Sequence, residues 1–411
     1  MLDFFQKITS DTRSLPSSVK LIVLVIFLRT FGWGFIDPFY SMYVDLFGDS
    51  YKSVGYLVAL MNFVGLLVVL PLLKLADKVR DTQIMRDGEV LYLFAIFFYV
   101  MAGLTQQVSL LLVALIINGV ALSLFVVGAE SFIRRHTRRG TETRSFAFLT
   151  AIQYLGWVLG MIIGAFTVQY YNFSTMFLFL LPGTIAGFLI LRRVSESGIR
   201  SLVSGFRKYF HKPRDFEFIL DDLRALNRKT FFFLFLAFFD GVIIMFSYLF
   251  IPLFALSIDL SLKEIALLMA SMYLPFIFSY IISEATERFR QMNVIALGLF
   301  IGGLAFICLS FIIDQLWVVL LAALTSLSLA IIRPTYNGIL TELTPRRMLG
   351  EITGLNKISM RIGFIVGPIV SGYLADAYSI QVAFFVIAIF AFSLAALAIV
   401  FKGVELLQAK N

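Results

Sequence analysis

Twelve blocks of about 20 apolar residues, each closed by charge, glycine or proline, dominate this chain of 411 residues. They run approximately over 19–44, 53–73, 90–107, 109–130, 146–168, 174–192, 230–256, 263–283, 292–313, 316–338, 353–376 and 380–401. A helix needs about 20 residues to cross roughly 30 Å of hydrocarbon, whereas the strands of a membrane barrel alternate over about 10. The pattern predicts an all-α integral membrane fold with twelve transmembrane helices. With 60% hydrophobic and 15% charged residues, no soluble core of this size accounts for the apolar surface.

Charge orients the helices. The terminal arms and the loops after blocks 2, 4, 6, 8 and 10 hold 28 of the 34 lysines and arginines, and the opposite loops hold only Lys52 and Lys263. Basic residues collect on the cytoplasmic side, so both termini are expected in the cytoplasm of a multi-pass plasma-membrane protein. The net charge of +8 is then a consequence of topology and does not point to nucleic acid. The polar start MLDFFQKITSDTRSLPSSVK is too long for a removable signal peptide, so helix 1 is expected to stay. Cys308 lies inside a block and has no cysteine to pair with in the chain.

The longest and most charged loop, 193–229, divides the chain into 1–192, a six-helix bundle, and 230–411, a second one. Its basic and aromatic stretch FRKYFHKPRDFEFILDDLRALNRKT reads as an amphipathic segment lying along an anionic inner leaflet. The halves carry matching features. Asp77-Lys78 follows helix 2 and Glu287-Arg288 follows helix 8. Helix 4 ends with Glu130, Arg134, Arg135 and Gly140, and helix 10 with Glu342, Arg346, Arg347 and Gly350. Spaced glycines recur in helix 5 (Gly156, Gly160, Gly164) and helix 11 (Gly363, Gly367, Gly372).

With these features the chain resembles the major facilitator superfamily over essentially its whole length. LADKVRD is similar to that family's GxLaDRxGRR turn, with Leu73 and Arg80 where glycines are usual and Asp81 where a basic residue is usual. TELTPRRMLGEITGLN resembles its ExxPxxxRGxxxG segment: Glu342, Pro345, Gly350 and Gly354 fit, and Leu349 takes the place of the arginine. Helix 5 lacks the proline of the GP motif that some exporters of the family carry. The resemblance implies an MFS-type fold with a 6+6 pseudo-repeat and substrate binding between the halves.

Turns of this kind suit a gate. A carboxylate there bonds basic side chains and helix amino ends when the helix ends meet, and releases them when they part. Asp77, Lys78, Glu130 and Glu342 are the cytoplasmic gate candidates. The glycines Gly156, Gly160, Gly164, Gly363 and Gly367 let backbones approach closely where no hydrophobic effect drives helices together. Those of helix 5 are expected at a seam with a helix of the other half.

Four basic residues lie inside blocks: Arg29, Arg333, Lys357 and Arg361. Arg29, Asp240 and Arg361 fall about 12 to 15 Å from the cytoplasmic edge. Arg29 and Asp37, eight residues apart, are about 80° apart around the helix and about 12 Å along it, so they cannot touch. Asp37 is expected at a water-filled outer vestibule, and Asp240 is expected to pair with Arg29 or Arg361. Burial raises a carboxylate's pKa and an opposite charge lowers it, so a partner that comes and goes would couple transport to protons. Arg29, Asp37, Asp240 and Arg361 are therefore the substrate and proton-coupling candidates. Arg333 and Lys357 are expected to snorkel to the inner interface. Asn62, Asn118, Gln153, Tyr154 and Asn337 are weaker cavity candidates.

The functional expectation is a secondary transporter working by alternating access. Its substrate is a small molecule, its coupling ion a proton, and its setting the lipid bilayer as a monomer. No GxxxxGK[ST] supports ATP hydrolysis, and neither His136 nor His211 has metal-ligand spacing, so no enzyme, metal or cofactor is expected. The aromatic wealth favours efflux of amphipathic, drug-like compounds. Basic residues at mid-depth favour the alternative, uptake of an anionic metabolite. A non-transporting receptor on the same fold is the reading from another class.

Overall fold

The computed structural model describes residues 16–75, 79–136, 142–194, 228–286, 289–343 and 349–408, and among them the chain is helical without a β-strand. Eleven helical segments are long and apolar enough to cross a membrane. In chain order they are span 1 (Ser17–Asp45), span 2 (Tyr51–Val69), span 3 (Asp81–Thr105), span 4 (Val108–Ile133), span 5 (Leu149–Tyr170) and span 6 (Phe173–Arg193). Then follow span 7 (Thr230–Ser257), span 9 (Gln291–Leu309), span 10 (Gln315–Leu340), span 11 (Ile352–Ala377) and span 12 (Ile380–Phe401).

The block expected over 263–283 is span 8, and it is broken into Leu262–Ile277 and Ser279–Thr286. A capping box between Ser261 and Glu264 starts it. Pro275 then removes a backbone donor, and the Phe278 N–H turns back to the Pro275 carbonyl at 3.2 Å, which closes the first piece. Span 3 also departs from expectation, beginning at Asp81 rather than near 90. Its first turns, DTQIMRDGE, are polar, yet Asp81, Thr82, Ile84, Met85, Gly88 and Glu89 are buried by neighbouring helices, so hydropathy alone did not reveal them.

The chain divides into two compact units, one of Met1–Asp37 with Val64–Pro213 and one of Pro38–Phe63 with Arg214–Asn411. The end of span 1 and the first part of span 2 thus pack within the second unit, although the sequence assigns them to the first bundle. Of the expected amphipathic loop, 195–227 lies outside the described residues, as do the gate candidates Asp77 and Lys78.

In the first unit, span 5 lies along span 1. A Cβ on Gly156 would fall on Thr30 Oγ1, one on Gly160 on the Phe31 carbonyl oxygen, and one on Gly164 within 3.0 Å of the Phe35 carbonyl oxygen. Gly34 meets Gly160 from the other side. These three glycines therefore seat span 5 on span 1 of the same unit, which corrects the expectation of a seam with the other half. Spans 3 and 4 approach as closely: a Cβ on Gly88 would stand 2.9 Å from the Ala121 carbonyl oxygen.

The second unit repeats this arrangement with different residues. Gly363 and Gly367 of span 11 face Phe238, Gly241 and Val242 of span 7, backbone against backbone. Many of the 45 phenylalanines are interior packing. Phe246, Phe250 and Phe254 of span 7, Phe306 of span 9 and Phe384 of span 12 are all buried, with Phe384 centred 5.3 Å from Phe246 and 5.1 Å from Phe254, edge to face in both cases. Such pairs contribute about 0.5–1.5 kcal/mol each beyond area burial, a sizeable share where lipid competes equally for apolar contact.

Candidate functional site

Among the described residues, each unit holds an ion pair that joins two of its spans and includes a buried carboxylate. In the first, Arg29 of span 1 donates from Nη1 to Glu89 Oε1 of span 3 at 3.0 Å. Glu89 and Tyr92 are three apart on span 3 and so share a face. The guanidinium carbon of Arg29 lies 4.1 Å from the Tyr92 ring centre and 4.3 Å from that of Phe125 on span 4, held between two aromatic faces. Gly187 of span 6 completes the enclosure: a Cβ there would lie 3.8 Å from Glu89 Oε1. Glu89 Oε2 is buried and has no hydrogen-bond partner among the described residues.

In the second unit the polarity is reversed. Asp240 of span 7 is the acid, and Arg333 and Tyr336, three apart on span 10, face it together. Arg333 Nε and Nη2 donate to Asp240 Oδ2 and Oδ1 at 2.9 and 3.1 Å, a two-point contact. Tyr336 Oη adds a bond to Oδ2 at 2.9 Å, and the Arg333 guanidinium lies 5.2 Å from the Phe276 ring centre. Gly241, the residue after Asp240, is turned about 100° from it and takes the contact with span 11, which leaves Asp240 for span 10.

These pairings correct three expectations. Arg29 is matched by Glu89 and not by Asp240, and Asp240 is matched by Arg333, not by Arg29 or Arg361. Arg333 does not snorkel to an interface, because its guanidinium is committed to Asp240. Asp37 opens the short 3-10 turn Asp37–Phe39 and is 2% exposed, so it is an interior residue rather than the wall of an open vestibule.

Among the weaker candidates, Asn118 donates to Tyr99 Oη at 3.1 Å in the interior of the first unit. Asn62 donates to the Val58 carbonyl at 3.0 Å. Asn337 of span 10 accepts from Asn356 of span 11 at 2.8 Å. Gln153 and Tyr154 are half-buried on span 5, and the Tyr154 ring stands 5.4 Å from Trp157. Arg361 and Lys357 are half-buried one turn apart on span 11. Of the remaining gate candidates, Glu130 is half-buried near the end of span 4, and Glu342 is exposed and accepts from Gln291 at 3.4 Å. Asp81 at the start of span 3, noted in the sequence only as a departure from the family turn, is fully buried with Arg135, near the end of the helix Val108–His136, at 3.6 Å.

Glu89 and Tyr336 are the site residues that sequence reasoning missed. Each sits one turn from a partner of complementary chemistry, Glu89 with Tyr92 and Arg333 with Tyr336, and that three-residue spacing was the available signal.

The superfamily model described as Major Facilitator Superfamily matches residues 22–356 and 231–410. The chain belongs to the major facilitator superfamily. Among its relatives in this superfamily, Quinolone resistance protein NorA of Staphylococcus aureus (strain COL) is 23% identical over 358 residues, covering 86% of this chain and 88% of the relative. Multidrug resistance protein 1 of Bacillus subtilis (strain 168) is 19% identical over 368 residues, covering 87% and 90%. In fold, the chain is similar to a crystal structure of a mutant nucleoside transporter NupG, with TM-score 0.74, 15% identity and coverage of 93% and 99%. It is equally similar to a peptide transporter POT in complex with sulfate, with TM-score 0.74, 14% identity and coverage of 94% of each chain. It is thus a multi-pass membrane transporter of this superfamily, with a small-molecule substrate.

Proposed function

We propose that this transporter exports amphipathic, drug-like compounds across the plasma membrane in exchange for protons, as a monomer with both termini in the cytoplasm. The observation that carries the reading is the pair of buried carboxylates, Glu89 and Asp240, each held by an arginine near the middle of a span. A carboxylate in low dielectric keeps its charge only while its partner stays, so displacing Arg29 or Arg333 favours proton uptake and their return favours release. That exchange couples a proton to alternating access without any other cofactor. The similarity to NorA and Multidrug resistance protein 1, both named for resistance, supports export. The thin set of polar side chains at mid-span argues against a sugar.

Everted membrane vesicles, acidified inside and loaded with a pH-sensitive dye, test this. Adding an amphipathic substrate from a chemically varied panel is expected to draw protons out of the vesicles. Asp240→Asn and Glu89→Gln are expected to lose that response. Wild-type rates in both variants, or no response to any compound, would overturn the proposal.

A further inference from the structure

Spans 1 and 2 are divided between the two compact units in mid-span, at Asp37–Pro38 and at Phe63–Val64. The hairpin Pro38–Phe63, made of the end of span 1, a short turn and the first half of span 2, therefore packs as part of the second unit. Its two ends differ. Span 1 is α-helical over Ser17–Gly34, then tightens as the Phe35 N–H donates to the Gly32 carbonyl and the Ile36 N–H to that of Trp33. It passes through the 3-10 turn Asp37–Phe39 and resumes as the helix Tyr40–Asp45. Pro38, inside that turn, has no N–H with which to continue the ladder. Span 2 instead runs through its cut as one helix, Tyr51–Leu75. The hairpin is thus jointed in span 1 and stiff in span 2.

Within the second unit the hairpin lies against spans 7 and 11. On span 11 the contact is backbone to backbone: a Cβ on Gly55 would fall on the Pro368 carbonyl oxygen, and one on Gly372 would stand 2.6 Å from the Tyr51 carbonyl oxygen. On span 7 the Tyr51 ring stands edge to face with Phe250, their centres 6.4 Å apart, and Asn62 donates weakly to Met245 Sδ at 3.8 Å. Stronger directional bonds lie at the rim. There Asp376, in the last turn of span 11, accepts from the backbone N–H groups of Tyr51 and Lys52 at 2.9 Å each. Lys52 Nζ stands 5.8 Å from the ring centres of both Tyr56 on span 2 and Tyr373 on span 11, astride the same seam. These two bonds are built to be released. First-turn amides have no carbonyl of their own helix to reach, and both bonds are exposed, so water can take the place of Asp376 when the seam parts.

We infer that the hairpin Pro38–Phe63 is the outer gate of this transporter, bending at the joint Asp37–Phe39, and that Asp376 is the latch that holds it shut against span 11. This rests on alternating access and on the orientation proposed above, and on neither export nor protons. A carboxylate on a helix end binds two amides only while the two helix ends are in register, so the latch engages in one state and is lost in the other.

The test reads a distance in the full chain in phosphatidylcholine nanodiscs. Cys308, the single cysteine of the chain, is first replaced as Cys308→Ser. Spin labels are then placed through Asp49→Cys, in the exposed turn of the hairpin, and Tyr378→Cys, at a residue 72% exposed just past span 11. With the latch intact, pulsed electron resonance is expected to show a dominant short distance and a minor longer one. Asp376→Ala is expected to raise the ratio of long to short about 2- to 30-fold, the effect of a lost helix cap, and Asp376→Asn to raise it less because its side chain keeps one acceptor. Gly372→Ala reaches the same end by another route, since its Cβ meets the Tyr51 carbonyl oxygen and pries the seam apart. Unfolding temperatures show whether each variant is folded; should Asp376→Ala fail to fold, Asp376→Asn and Gly372→Ala carry the comparison. Distances unchanged in the folded variants, whether or not their unfolding temperatures drop, would make Asp376 a static cap and overturn the inference. The distances are read without substrate or pH gradient, so a failed proton response in vesicles counts against proton-coupled export alone.

Discussion

The carboxylate of Asp376, at the end of span 11, accepts from the backbone N–H of Tyr51 through Oδ1 and from that of Lys52 through Oδ2, each at 2.9 Å. Those two amides open span 2 and have no carbonyl of their own helix to reach, so Asp376 is a helix cap supplied from 325 residues away in the chain. The negative charge also faces the positive end of the span 2 dipole. Lys52 Nζ lies 5.8 Å from the ring centres of both Tyr56 and Tyr373, which bracket the same junction.

Losing such a cap costs about 0.5–2 kcal/mol of local stability. Asp376→Ala is therefore expected to speed amide hydrogen exchange at Tyr51 and Lys52 by roughly 2- to 30-fold, with a smaller change in Asp376→Asn, whose side chain keeps one acceptor. Exchange measured by mass spectrometry on peptides spanning these residues checks it. Unchanged exchange in Asp376→Ala would mean that the two amides are protected by something else.

The Arg29–Glu89 pair makes a prediction of non-additivity. Removing one partner strands the other charge in a dry interior, at a cost of about 3–5 kcal/mol, whereas replacing both by apolar residues of similar size is often close to neutral. Arg29→Met and Glu89→Leu are each expected to lower the unfolding temperature in detergent clearly, and the double variant to recover most of the loss. Additive losses would show that the pair is not what makes either residue matter to stability. The double variant still lacks the Glu89 carboxylate, so recovered stability should come without recovered proton coupling.

Around Asp240 the phenol and the guanidinium are separable. Tyr336→Phe removes one hydrogen bond to Oδ2 and leaves both arginine bonds, a loss of about 1–2 kcal/mol in stability with transport retained at a reduced rate. Asp240→Asn is expected to abolish net proton-coupled flux while preserving substrate counterflow, which requires alternating access and no net proton movement. Counterflow and pH-driven flux measured on the same proteoliposomes distinguish the two; equal loss in both would assign Asp240 to structure instead.

Much of the fold was legible because span length, the positive-inside bias and glycine spacing are each set locally in the chain. Eleven blocks correspond to helical segments long and apolar enough to cross a membrane, and span 8 is legible as a block although Pro275 splits it. Pairing was not legible in the same way. Arg29 stood out as an ionisable residue in an apolar run, but its partner sits in the polar-looking first turns of span 3, where burial comes from other helices rather than from the local sequence. Arg333 was placed at an interface by its distance from the helix end, which ignored that a long side chain takes a bidentate partner in preference to water when one is at the same depth. The helix 5 glycines announced a close contact, and nothing in their spacing said which helix would supply it.

The glycines allow one substitution to be predicted in opposite directions. At Gly160 a Cβ falls on the Phe31 carbonyl oxygen and within 2.8 Å of the Gly34 Cα; at Gly363 it falls on the Phe238 carbonyl oxygen. Backbone on both sides cannot rotate away, so spans 1 and 5, or 7 and 11, must separate and forfeit their van der Waals contact along the seam. Gly160→Ala and Gly363→Ala are each expected to cost about 1–3 kcal/mol, the range for overpacking. Gly338 on span 10 has nothing within 4 Å of its Cβ position, so Gly338→Ala should relieve the entropic cost of glycine in a helix and stabilise by up to about 1 kcal/mol. Unfolding temperatures of the three variants, followed by the monodisperse fraction on size-exclusion chromatography, read the contrast directly. A drop for Gly338→Ala equal to that for Gly160→Ala would mean that alanine acts through helix bending at these sites and not through the close backbone contacts.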